Sequence, residues 1–181
     1  KGTTQAKAAL EQKETELERC KKAVELAKGK TSVYWCNTNN ESAILKDLDP
    51  EAVEIIGSQS IDKKEKILLD FANGKIKRII TKAKITGMGL NWQHCNHSVF
   101  FPTWSYEQYY QAIRRFWRFG QKNEVNIDIV ISDGQTRVIE TLKRKTKNAK
   151  KLYDNLKNNV NGSFKNTVKE FNQEIIKPKF L

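Results

Sequence analysis

Gln111, Arg114, Arg115 and Arg118 recur at a spacing that places them on one face of a helix, with Tyr109, Ala112, Ile113, Phe116 and Trp117 on the opposite face. The apolar face must be core. Burying its aromatics anchors the helix, so the guanidinium groups on the other side are held at fixed positions. Such groups suit a developing phosphoryl charge, because arginine stays charged at any relevant pH and offers a planar fork of donors. A solvated basic stripe, or contacts to a phosphate backbone, is the competing reading of the same residues. Upstream lies a second candidate, Gly87-Met88-Gly89-Leu90-Asn91. A backbone without a β-carbon approaches a phosphate or ribose closely and reaches positive φ, and Lys82 and Lys84 can supply charge to the same groove. An ordinary tight turn is the alternative. The pair of glycines gains its weight from Asn91 and from the distance to Gln111.

The run from Gln111 to Gln121 resembles motif VI of superfamily 2 helicases, especially the SWI/SNF-type translocases and related helicases of phages and prophages. Gly87 to Asn91 is similar to their motif V, and Ser105-Tyr106-Glu107-Gln108-Tyr109-Tyr110 to the approach to motif VI. Ser32-Val33-Tyr34-Trp35-Cys36-Asn37 resembles the motif IV strand, and the likeness continues through Ile55-Ile56-Gly57-Ser58 to Leu69-Asp70-Phe71. It covers roughly residues 31 to 144, with several motifs in the right order. The resemblance implies the second of two RecA-like domains. It also implies that Arg115 and Arg118 face a nucleotide, Arg118 foremost, with Gln111 beside them; that Gly87, Gly89 and Asn91 border the cofactor; and that Asn37, Lys82, Lys84 and Thr86 line a nucleic-acid groove. Two departures stand out. Pro102 occupies a place where SWI/SNF-type proteins usually carry an acidic residue, and Thr86 one where glycine is common, which favours the phage-type branch. Arg114 stands where remodellers are often acidic.

The implied cofactors are ATP and Mg2+, both held mainly by a missing N-terminal RecA-like domain, since no Gly-x-x-x-x-Gly-Lys-Ser/Thr loop and no Asp-Glu pair occurs in the chain. Gly29-Lys30-Thr31 mimics the end of a phosphate loop, but it follows a helical pattern and precedes a strand, the reverse of what anion binding by helix amides requires. Gly29 reads instead as a helix stop. Met88 is the only methionine, so the chain is expected to be a piece of a longer protein.

Short apolar runs at 32 to 36, 53 to 56, 76 to 80, 98 to 101 and 125 to 131 read as strands, with helical patterns at 39 to 47, 61 to 72 and 105 to 118 between them. Such alternation predicts an α/β fold, a RecA-like doubly wound parallel sheet flanked by helices, whose ligands collect at the carboxyl ends of the strands. There the loop from Lys82 to Asn91 and the start of the motif VI helix are expected. Asp133-Gly134 closes the last strand with a turn. The expected organisation is a helical lead-in over residues 1 to 30, the RecA-like domain over 31 to 134, and a basic helical extension over 135 to 181. In the lead-in Leu10, Leu17 and Val24 recur at seven residues, but Lys13 interrupts the companion stripe, so a helix packed on the domain is simpler than a coiled coil. In the extension a helix over 136 to 157 should turn Val138, Leu142, Leu152 and Leu156 inward. Gly162-Ser163 should break it before a last amphipathic helix carrying Phe164, Val168, Phe171 and Ile175.

At 181 residues, 38% hydrophobic, the chain has enough apolar residues for one buried domain with appendages. No apolar run suits a membrane span and the start has no signal-peptide character, so no membrane partner and a cytoplasmic setting, bacterial or in a phage-infected host, are expected. Cys20, Cys36 and Cys95 are odd in number and unpaired in spacing, which speaks against a disulfide framework. His94-Cys95-Asn96-His97 holds three zinc-capable side chains, but a structural site draws four ligands from two separated pairs, so a turn into a strand is expected and no metal. Two-thirds of the formal net charge of +12 lies beyond Gly134. Lys143, Arg144 and Lys147, with Lys145, Lys150 and Lys151, can exchange condensed counterions for phosphate contacts, giving salt-sensitive, sequence-independent DNA binding; a soluble lysine-rich helix is the competing account. No base-reading helix is recognisable. The function expected is the C-terminal half of an ATP-dependent DNA helicase or translocase, with DNA and the N-terminal RecA-like domain as partners. The alternatives are a non-catalytic nucleic-acid-binding or partner-docking module with the same fold, and half of an RNA helicase.

Overall fold

The computed structural model describes residues 10, 13–85, 92–103, 105–117 and 120–163, with side chains as far as 152. Five strands, β1 (Ser32–Trp35), β2 (Val53–Glu54), β3 (Arg78–Thr81), β4 (His97–Phe100) and β5 (Asn126–Ile129), form one sheet in the order β2-β3-β1-β4-β5. Every neighbouring pair is parallel, with Ser32 opposite both Arg78 and His97, and His97 opposite Asn126. The central strands β1 and β4 are buried throughout, as a parallel sheet covered on both faces requires.

Alternate residues of each strand enter opposite cores. Val33, Trp35, Ile79 and Phe100 join Leu68 and Phe71 of α3 (Ile61–Ala72) and Tyr109, Ala112 and Ile113 of α4 (Tyr106–Ile113). Tyr34, Ile80 and Val99 meet Cys20, Ala23 and Ala27 of α1 (Glu16–Ala27) and Leu45 of α2 (Asn39–Leu48) on the other face. The small residues of α1 allow it to lie close to the sheet, and Gly29, at φ +73°, turns the chain from it into β1 as a left-handed glycine beyond a helix end does.

Side-chain caps fix where the other helices start. Thr38 and Glu41 form a capping box at α2, Ser60 accepts from the Lys63 amide at α3, and Ser105 accepts from the Gln108 amide at α4; each such cap contributes on the order of 1 kcal/mol. Glu41 is fully buried and takes more than its capping bonds, because Arg19 of α1 reaches it at 3.0 Å and stacks its guanidinium over Phe101 at 5.3 Å.

Three expectations change. The helix predicted to run to residue 118 stops at Ile113, and Arg114 to Phe116 form a turn. Its apolar periodicity continued because Phe116 and Trp117 still face the core, and burial alone does not separate a turn from another helical turn. Beyond β5 a short 3-10 helix (Asp133–Gln135) leads into α5 (Thr136–Ser163), which buries Val138 and Leu142 but leaves Leu152 63% exposed, because the helix has by then run past the body it packs on. The helix includes Gly162 and Ser163 instead of breaking before them. Leu156 and the last predicted helix, with Phe164, Val168, Phe171 and Ile175, lie outside the described side chains. Among the described residues no helix is long and apolar enough to cross a membrane.

Candidate functional site

At the carboxyl ends of β1, β3 and β4 the chain leaves an open cleft of about 350 Å³, lined by Cys36, Asn37, Lys82, Ala83, Lys84, Thr103, Ser105 and Gln108. Each position follows from the element before it. Asn37 comes directly off β1, where its amide hydrogen is accepted by Glu41 at 2.8 Å and its side-chain NH2 donates to the Phe101 carbonyl at 3.0 Å, so it bridges the ends of β1 and β4. Lys82 comes off β3 and donates to Asn39 at the start of α2. Lys84 stands exposed in a turn closed by the Ile85 amide on the Lys82 carbonyl. Thr103, Ser105 and Gln108 carry the capped start of α4.

Among the described residues the lining contains two lysines and no carboxylate or imidazole, which equips it to hold an anion without offering a general acid or base in the neutral range. Cys36 adds no nucleophile: burial is the main reason its thiol is pushed up to about 12, so it stays protonated at neutral pH.

The arginine-bearing turn is elsewhere. Arg115 is half-buried, and its guanidinium lies 5.4 Å from the ring centre of Trp92, the residue that follows Asn91. The Trp92 amide donates to the Arg115 carbonyl at 3.1 Å. Further along, Gln121 Nε2 donates to the carbonyls of Cys95 and Phe116, and Gly120, at φ +92°, leaves room for Gln93, which a β-carbon there would meet at 3.1 Å. Residues 92 to 95 are thus laced to Arg115, Phe116, Gly120 and Gln121. Arg115 thus lies beyond the end of α4, with its guanidinium against Trp92 instead of on the helix surface that the spacing predicted. Exposed Arg114 lies 5.5 Å over the ring of Tyr110, which in turn stacks on Tyr106. Gln111 is exposed and donates to Glu107, one turn back, at 3.1 Å.

Of the other expected site residues, Lys143, Arg144 and Lys147 stand exposed on α5, opposite the face that buries Val138 and Leu142. Arg118, Thr86, Gly87, Gly89 and Asn91 lie outside the described residues. His94, Cys95 and His97 form a turn into β4, and among the described residues no group of three or more His, Cys, Asp or Glu is arranged to hold a metal.

Sequence reasoning missed Trp92, Gln121 and Glu41. Glu41 had a legible signal in the Thr38-x-x-Glu41 capping box. The other two act through pairings across the fold, which local pattern does not carry.

A family model described as helicase conserved C-terminal domain matches residues 15–120. No curated protein matches the sequence. Among solved structures, the C-terminal part of the Fun30 ATPase domain is similar with a TM-score of 0.60 at 20% identity, covering 70% of this chain and 45% of that one. S. cerevisiae Dbp5, in a variant bound to RNA and ADP BeF3, gives 0.59 at 17%, covering 71% and 35%. The C-terminal domain of the DEAD-box protein Dbp5 gives 0.57 at 18%, covering 73% and 78%. The chain thus spans less than half the length of the first two, and at these identities the likeness establishes the RecA-like fold.

Proposed function

Because the chain belongs to the helicase conserved C-terminal domain family, we propose that it is the second RecA-like half of an ATP-dependent DNA helicase or translocase, of the phage-type branch related to SWI/SNF proteins. The observation that carries the reading is the lacing of the Arg115 turn onto Trp92, directly after Gly87 to Asn91. In sequence, Gly87 to Asn91 lies between Lys82 and Lys84 of the basic cleft and Trp92, against which Arg115 rests.

ATP supplies the phosphoryl group to be transferred. Arg115 and Arg118, with Gln111, would hold the γ-phosphate side of it, and Gly87, Gly89 and Asn91 would border it through their backbone. The donor set here suits anions and offers no carboxylate cluster for Mg2+ among the described residues, so the phosphate loop and the magnesium ligands are assigned to an N-terminal RecA-like domain. An arginine supplied across such a cleft is worth roughly 10³ to 10⁵ in rate. The cleft and the exposed Lys143, Arg144 and Lys147 would contact nucleic-acid backbone without reading sequence. Closing and reopening of the two domains over nucleotide would then move them along that backbone.

The test is nucleotide hydrolysis by the full-length parent with single-stranded DNA, double-stranded DNA and RNA, wild type against Arg118→Ala. DNA-stimulated hydrolysis lost in the variant is expected. Stimulation by RNA alone would replace the substrate, and no hydrolysis under any condition would replace the motor with a binding module. This chain alone is expected to hydrolyse essentially no ATP, and activity of the fragment abolished by Arg118→Ala would overturn the two-domain account.

A further inference from the structure

Trp92 is fully buried, yet its surroundings are unlike those of an ordinary core residue. Trp35 stacks near it with centroids 5.7 Å apart, Phe71 meets it edge-on at 5.5 Å, and Phe116 lies tilted at 5.7 Å. The Arg115 guanidinium joins these three apolar neighbours at 5.4 Å from the ring centre. The indole N–H has no hydrogen-bond partner among the described residues, so the ring contributes its face and its bulk and not its donor. The Trp92 backbone amide also holds the Arg115 carbonyl. One residue therefore grips both the backbone and the side chain of Arg115, just where α4 has ended and no helix fixes the arginine's direction.

We propose that Trp92 is a positioning residue for Arg115, which uses the indole face to aim the guanidinium. This rests on the proposed role of Arg115 toward the transferred phosphoryl group. A guanidinium resting on a ring is drawn to the negative face of its quadrupole, and an arginine already oriented loses less freedom when its anion arrives.

Trp92→Phe keeps a ring face and Trp92→Leu keeps apolar bulk without one. In the full-length parent, Trp92→Leu should lower kcat and kcat/KM for DNA-stimulated hydrolysis together, by about tenfold, and Trp92→Phe should stay within about threefold of wild type on the same scale. Independently of activity, the Arg115 Nε–Hε resonance of this chain, assigned with Arg115→Lys, should be displaced by the indole ring current in the wild type. The displacement should persist in part in Trp92→Phe and vanish in Trp92→Leu. An undisplaced resonance in the wild type overturns the proposal without any Trp92 variant having to fold, as does wild-type kcat in a Trp92→Leu protein that melts cooperatively. A displaced resonance in a parent that hydrolyses nothing would support the positioning while sinking the motor reading, so the two failures are separable.

Discussion

At the amino end of the sheet Ser32, Arg78 and His97 stand side by side in register, and each is engaged. His97 meets Ser32 through Nδ1 and Asp128 through Nε2, both at 2.8 Å, with Lys30 at 3.3 Å. Arg78 takes Asp49 with two nitrogens and Glu51 besides, and Tyr34 donates to the same Asp49 carboxylate at 2.8 Å. At the carboxyl end the polar groups are layered differently. A buried layer, Arg19 with Glu41, holds Asn37 and Thr38 from below, while Lys82, Lys84, Thr103 and Gln108 border open space. Polar residues of similar kinds close one end with internal partners and leave the other able to take an anion from outside. The contrast shows that charge content alone does not locate a site; what matters is whether the charges have already been matched within the fold.

The largest effect expected falls on the buried layer. Arg19→Ala strands the Glu41 charge in a dry setting and should cost about 3–5 kcal/mol in a denaturant melt. A cost near zero would mean that the carboxyl end has no buried anchor, and the contrast between the ends would collapse to one of exposure.

Asp49→Ala should cost roughly 2–3 kcal/mol, because it removes the main partner of Arg78 and orphans the Tyr34 hydroxyl. Burial acts to raise the Asp49 carboxyl, but the hydrogen bonds from Arg78 and Tyr34 outweigh it and hold the carboxyl below its ordinary range. A depressed carboxylate stabilises the fold above its unfolded pKa, near ~4, and that share is lost as pH falls through the folded value. Asp49→Asn should therefore flatten the acid limb of stability against pH.

Lys82→Gln with Lys84→Gln should leave the melt within about 0.5 kcal/mol and weaken nucleic-acid binding by the parent. The slope of log K against log salt should fall by about 0.9 for each phosphate that the variant no longer neutralises. An unchanged slope would make the cleft inert and remove the functional half of the comparison.

The smallest effect belongs to His97. Burial is the main cause that lowers its pKa, against the pull of the Asp128 hydrogen bond. The neutral ring then stabilises the fold above the unfolded value of ~6.5, and that contribution fades as pH falls from there through the folded pKa. His97→Gln should flatten the dependence of Tm on pH across that window, and an unchanged slope would show that folding leaves the pKa of the ring where it is in the unfolded chain.

Much of the scaffold was legible because a parallel sheet imposes strong local patterns. The apolar runs of β1 and β4, the helical pattern of α3 and the glycine stop after α1 each depend on a few neighbouring residues. The end of α4 was not legible, since Phe116 and Trp117 satisfy helical periodicity from within a turn. The pairs that secure both ends of the sheet were hidden as well: Arg19 and Glu41 lie 22 residues apart, and Asp49 and Arg78 lie 29 apart. Nothing in either local sequence marks the partner. For the site, the family resemblance grouped Asn37, Lys82 and Lys84, which do line one cleft, while the ring against which Arg115 rests reads in sequence as ordinary core.

The three cysteines are free and buried, in α1, at the end of β1 and just before β4, and burial is the leading cause that pushes each thiol up to about 12. Alkylating reagents need a thiolate they can reach, so the folded protein should ignore them. Each cysteine then serves as a timer. The rate at which Cys20 is modified reports how often α1 lifts from the sheet, Cys36 how often the cleft floor opens, and Cys95 how often the strap beside Trp92 lets go. A single engineered surface cysteine could carry a dye while the native three keep time beneath it.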